Sequence, residues 1–145
     1  MSYDMELVVL KKKSLENAQK IWKEYTLSEL YSNFLFTRLH LEEYEISEDE
    51  KGRWIYSCQM RIFDEFFEKE IGRDIENDEV FIINKDTYNK MCQWLENKLK
   101  TTTFFDVKDD VDKEYRLSNL TEAYNYMIKE KIDFEKEFVL FQHDW

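Results

Sequence analysis

The chain has 145 residues, 32 acidic and 21 basic, giving a formal net charge of -11, and it contains four Trp, nine Tyr and eleven Phe but only two Gly and no Pro. This length suits one domain spanning residues 1–145 that buries roughly two-thirds of its unfolded surface, and a hydrophobic content of 43% is ordinary for a globular protein, so the high charge does not argue for disorder. No apolar run approaches the ~20 residues of a membrane span, and two glycines leave no backbone cradle for a phosphate.

Met5 to Leu10 is apolar and β-branched and predicts a short strand. Ser14 caps a predicted helix through about Tyr25, with Leu15, Ala18, Ile21, Trp22 and Tyr25 at helical spacing. Leu27 to Leu41 carries Leu30, Tyr31, Phe34, Leu35 and Phe36; its first half looks helical, and Leu35 to Leu41 is equally compatible with a strand. Glu42 to Glu50 holds six acids and no base and predicts a loop before Gly52. A helix is expected from about Arg53 to Ile71, with Ile55, Cys58, Ile62, Phe63, Phe66 and Phe67 as its apolar stripe and Gly72 as its stop. Val80 to Ile83 predicts a buried strand. Asn84 or Asp86 then caps a helix from about Lys85 to Lys100, in which Tyr88, Met91, Cys92, Leu95 and Leu99 recur at helical spacing. Thr101 to Val107 has strand composition, and Lys108 to Glu114 is polar enough for a loop. Ser118 caps a last helix from about Asn119 to Lys131, with Leu120, Tyr124, Met127 and Ile128 turned inward, and Glu137 to His143 closes as a strand. The fold class is therefore α+β and predominantly helical: four or five helices packed with a small mixed sheet of three to five short strands.

The Phe63 and Phe66-Phe67 helix, the Tyr88 to Leu99 helix, Phe104-Phe105 before an acidic loop and Tyr115, and the aromatic end with Phe138, Phe141 and Trp145 share a general character. In it the chain resembles the small, acidic, aromatic-rich proteins of bacteriophages and prophages. The resemblance spans about residues 54–145 and implies a mobile-element origin; it brings no established activity and no functional residue.

Candidate chemistry is sparse. His40 and His143 are the only histidines, and no nucleophile elbow accompanies them, so structural or surface roles are expected. Cys58 and Cys92 lie in apolar helical patterns and are expected to be reduced core thiols. Asp106, Asp109, Asp110, Asp112 and Glu114 crowd one stretch, but an EF-hand loop needs a Gly that is missing there, and a solvated loop is the better expectation. No cofactor is expected. The N-terminal residues Met1 to Glu6 lack a basic n-region and an apolar core, which predicts no signal peptide and a cytoplasmic location in a bacterial host.

The charge disfavours direct contact with nucleic acid or an anionic membrane, since both need a basic face. A protein partner with a basic surface is expected instead. The residues expected to meet it are Glu42, Glu43, Glu45, Glu48, Asp49 and Glu50, then Asp109, Asp110 and Asp112, with Trp94 and Trp145 as aromatic anchors. Nucleic-acid mimicry is the sharpest version. On average a surface of roughly 8,000 Å² offers about one carboxylate per 250 Å², against about one charge per 100 Å² on duplex DNA. Mimicry thus requires the acids of 42–50, 64–79 and 106–114 to cluster on one face. The expected function is a non-enzymatic binding protein of a phage or mobile element, such as an acidic inhibitor of a host nucleic-acid-handling defence protein. The alternatives are a homo-oligomeric structural or accessory phage protein and, last, a small enzyme or nucleotide-binding protein.

Overall fold

The computed structural model describes residues 4–13, 16, 23, 53–75, 80–102 and 110–144. Among these, four strands and three helices follow one another as β1 (Asp4–Lys11), β2 (Arg53–Cys58), α1 (Asp64–Ile71), β3 (Val80–Ile83), α2 (Lys85–Thr101), α3 (Val111–Lys129) and β4 (Glu137–Asp144). The strands form one sheet in the order β2-β1-β4-β3, and every pairing is antiparallel. The α+β class holds. The expected mixed sheet is instead wholly antiparallel, and the described residues contain three helices rather than four or five. The helix expected from Ser14, the 27–41 segment, the 42–50 loop and residues 103–107 of the expected strand lie outside the described residues.

The expected helix from Arg53 to Ile71 divides into β2 and α1. Its first third contains Trp54, Ile55 and Tyr56, side chains that favour a pleated surface. Leu7 pairs with Tyr56 but Val8 pairs with Trp54, so Ile55 is the extra residue of a β-bulge. The bulge buries Ile55 and Tyr56 together. That consecutive burial breaks the two-residue alternation of a strand and imitates part of a helical stripe. α1 then starts at Asp64 and stops at Gly72, whose φ of 74° is left-handed and whose N–H donates to the Glu68 carbonyl at 2.8 Å.

Two further boundaries move. Residues 111–114, expected in a loop, form the first turn of α3, and Asp110 is its N-cap, accepting the Lys113 N–H at 3.1 Å. Asp112 and Glu114 lie in that turn, where the helix dipole favours negative charge. Ser118 is accordingly inside the helix rather than its cap, and Thr101 belongs to α2 rather than to a strand. Asn84, not Asp86, caps α2 by accepting the Thr87 N–H at 2.8 Å. On α3, Leu120 and Met127 are buried as expected, while Ile128 is 53% exposed; Asn119 and Ala123 take the inward positions.

The core forms where the helices cover one face of the sheet. Met5, Leu7 and Val9 of β1 and Val139 and Phe141 of β4 point into it, as the two-residue period requires. Phe63 and Phe141 are fully buried and meet edge-to-face at 6.0 Å, and Phe67 lies 4.5 Å from Phe141 and stacks on Phe81 at 5.1 Å. Each such side chain contributes about 2–3 kcal/mol by its removal from water. The Tyr88 hydroxyl donates to the Met127 carbonyl at 2.8 Å and ties α2 to α3. Val8, Leu10, Phe138 and Leu140 are also buried but lie outside this cluster, on the alternate face; the three described helices do not supply their cover.

Arg53 fastens the β2 edge to the α3–β4 connection. Its Nε donates to Glu130 Oε1 at 2.6 Å, Nη1 to Glu137 Oε2 at 2.5 Å and Nη2 to the Lys131 carbonyl at 3.1 Å. The Arg53 hydrogen bond holds the Glu137 carboxyl below its ordinary value of 4.5. A depressed carboxylate stabilises the fold above its unfolded pKa and loses that contribution as pH falls through the lower folded value. Arg53→Ala should therefore cost about 1 kcal/mol at neutral pH, partial exposure damping the ion pair. In urea unfolding it should also flatten the stability loss between about pH 5 and 3; an unchanged acid limb would contradict the assignment.

Candidate anion-binding groove

Where α2 ends and α3 begins, one face of each helix borders a cleft of about 430 Å³. From α2 come Trp94, Lys98 and Thr101, at i, i+4 and i+7, with Thr102 beyond; from α3 come Lys113, Arg116, Leu117 and Leu120, at i, i+3, i+4 and i+7. Glu65 of α1 closes one side. A second cleft of about 550 Å³ shares Glu65 and Arg116 and continues over Arg61, Asp64 and Glu68. The two together form a groove in which four cations face three carboxylates, in a chain whose net charge is -11.

Most of these charges are committed. Lys98 Nζ donates to Glu65 Oε1 at 2.9 Å and lies 5.6 Å from the centre of the Trp94 ring. Arg61 pairs with Asp64 at 3.7 Å, and Lys113 is only loosely held, 4.0 Å from the Asp110 carboxylate. Half-buried Arg116 lines both clefts and forms no ion pair among the described residues. A guanidinium in that position offers a planar fork of N–H donors to the groove.

Trp94 forms the apolar floor. Its ring meets Phe63 at 5.9 Å and Phe66 at 6.0 Å, so α1 and the core fix its orientation. Expected as an aromatic anchor for a partner, it is half-buried with one side on the core and the other on the groove.

Behind the groove, β2 and α3 enclose a polar cluster. The Tyr56 hydroxyl lies 2.9 Å from both Asn119 Oδ1 and Glu122 Oε2, and its ring stacks on Tyr126 at 5.7 Å. The hydroxyl has one proton for two acceptors, and Asn119 Nδ2 is buried without a partner among the described residues. A half-turn of the amide lets Nδ2 donate to the phenol oxygen while the phenol donates to Glu122. Burial, followed by the Glu122 hydrogen bond, pushes the Tyr56 pKa well up. Burial also raises both cysteine thiols; Cys58 Sγ donates to the Met60 carbonyl at 3.2 Å from a strand, not from the expected helix.

The structure brings few of the expected interaction residues together. Glu42, Glu43, Glu45, Glu48, Asp49, Glu50, Asp109 and Trp145 lie outside the described residues, as does His40. Asp110 is used as a helix cap, and Asp112 is exposed one turn from the groove. His143 pairs with Met5 in the sheet. Among the described residues no group of three His, Cys, Asp or Glu is arranged to hold a metal ion, and no helix is long and apolar enough to cross a membrane. Lys98, Lys113 and Arg116 were not anticipated. Their signal is a stripe of basic and apolar residues at helical spacing on each helix, obscured on α3 because its acidic first turn has the composition of a loop.

No family model, curated protein or solved structure matches the chain.

The raised Tyr56 pKa makes the stability of the fold depend on pH in the alkaline range. Its contribution to stability is complete below the unfolded tyrosine value of about 10 and declines as pH rises above it. Tyr56→Phe should cost about 1 kcal/mol at neutral pH and reduce the further loss seen at about pH 10.5. An alkaline loss equal to that of the parent chain would contradict the buried phenol.

Proposed function

We propose that the protein is a non-enzymatic binding protein of a phage or other mobile element and that the groove at Arg116 receives an anionic group of its ligand. The observation that carries this is a half-buried guanidinium, free of any ion pair among the described residues, over an apolar floor. Concave sites that combine an apolar lining with a few convergent polar groups are where ligands bind. Two thiols raised by burial are poor nucleophiles, which favours binding over catalysis.

The groove gives less support to an acidic inhibitor that fills the nucleic-acid channel of a host defence protein. Such an inhibitor needs carboxylates gathered on one face. Here Lys98, Lys113 and Arg116 stand between the acids of α1 and those at the start of α3. The homo-oligomeric alternative draws on α3, whose Val111, Tyr115, Tyr126 and Ile128 are about half exposed or more.

Titration of the isotope-labelled chain with sodium acetate and with inorganic phosphate tests the groove. Either anion should shift the Arg116 side-chain Nε–H resonance, and Arg116→Gln should abolish the accompanying shift of the Trp94 indole N–H. Because Arg116 stabilises no ion pair among the described residues, the substitution should change folding stability by less than about 0.5 kcal/mol. Absence of any shift at Arg116 with both anions would refute the site.

A further inference from the structure

We infer that the groove selects a small organic carboxylate with an apolar body, in preference to a phosphate or other polyanion. The inference rests on the reading of the groove as an anion site and narrows its ligand. Two features set the choice. The first is the number of unspent cations: Lys98 is neutralised by Glu65 at 2.9 Å, and Lys113 remains 4.0 Å from Asp110. Of the four cations of the groove, Arg116 alone forms no ion pair among the described residues. One guanidinium matches one carboxylate in a two-pronged hydrogen bond, whereas a phosphate dianion brings a second charge and a third oxygen to be satisfied.

The second feature is the wall beside Arg116. Leu117 is its immediate neighbour, Leu120 is one turn further along α3, and the Trp94 ring faces them across the cleft. A ligand whose acid meets Arg116 therefore lays the rest of its length against apolar carbon. A cleft of about 430 Å³ accommodates a body of several methylenes or one aromatic ring. The net charge of -11 repels polyanions at long range and penalises a monoanion least. The carboxylate anchors the ligand and the apolar body supplies the selectivity.

The test compares four probes on the purified full chain by the same resonance shifts: hexanoate, acetate, hexanol and inorganic phosphate. Hexanoate should bind at least about tenfold more tightly than acetate, because each buried methylene adds to affinity, and at least about tenfold more tightly than hexanol, which has no charge for Arg116. Phosphate should be no better than acetate. Arg116→Gln should weaken hexanoate about tenfold or more. Leu117→Ser should weaken hexanoate several-fold, and by a larger factor than it weakens acetate. If acetate and phosphate shift Arg116 but hexanoate binds no better than acetate, the carboxylate selectivity is wrong and the anion site stands. If phosphate binds more tightly than hexanoate, the selectivity is likewise overturned. If none of the anions shifts Arg116, both fall together.

Discussion

The ring contacts among Phe63, Phe66, Phe67, Phe141 and Trp94 are the constraint on which the rest of the structure depends. Phe141 is supplied by β4, in the middle of the sheet, and Phe63 and Phe67 by the start and body of α1. Those contacts join a helix of only eight residues to the sheet. A helix that short has little stability of its own, so burial of its aromatic face must hold it. The same rings then seat Trp94 from below, and Trp94 is the floor of the groove. Core packing and site geometry are thus one arrangement, and a core substitution at Phe63 or Phe66 acts on the groove through Trp94.

Charge has to be considered locally for the same reason. The whole chain is strongly acidic, yet the groove brings Arg61, Lys98, Lys113 and Arg116 together. Ion pairs with Glu65 and Asp64 neutralise part of this and position the lysine over the Trp94 ring. Exposed pairs of this kind contribute little to stability. Their effect is to leave Arg116 as the cation that meets a ligand. The hydrogen bonds of the buried Tyr56 hydroxyl to buried Asn119 and exposed Glu122 join α3, which carries Arg116, to β2.

Much of this was legible in the sequence where one period dominates. The strand at Val80 to Ile83, the helix begun at Asn84, the terminal strands and the Gly72 stop follow from apolar runs, a capping side chain and a left-handed glycine, but the strand expected to be buried is the edge of the sheet, with Ile82 49% exposed. The reading failed at β2 because the bulge at Ile55 places two successive side chains on the core, a pattern a sequence period cannot distinguish from part of a helix. It failed again at α3 because Asp110, Asp112 and Glu114 have the composition of a loop and also that of a helix start. The groove was hidden for a related reason: Lys98, Lys113 and Arg116 come from two helices and meet only in space, so the net charge directed attention to carboxylates.

The central claim is that Trp94 sits in a locally cationic groove on an acidic protein. Collisional quenching of Trp94 fluorescence measures this directly, in a variant with Trp22, Trp54 and Trp145 replaced by Phe. With each ion's quenching expressed relative to that of free N-acetyltryptophanamide, iodide should quench Trp94 more strongly than caesium does, despite the net charge, and Arg116→Gln should narrow the difference. Stronger quenching by caesium would contradict the account.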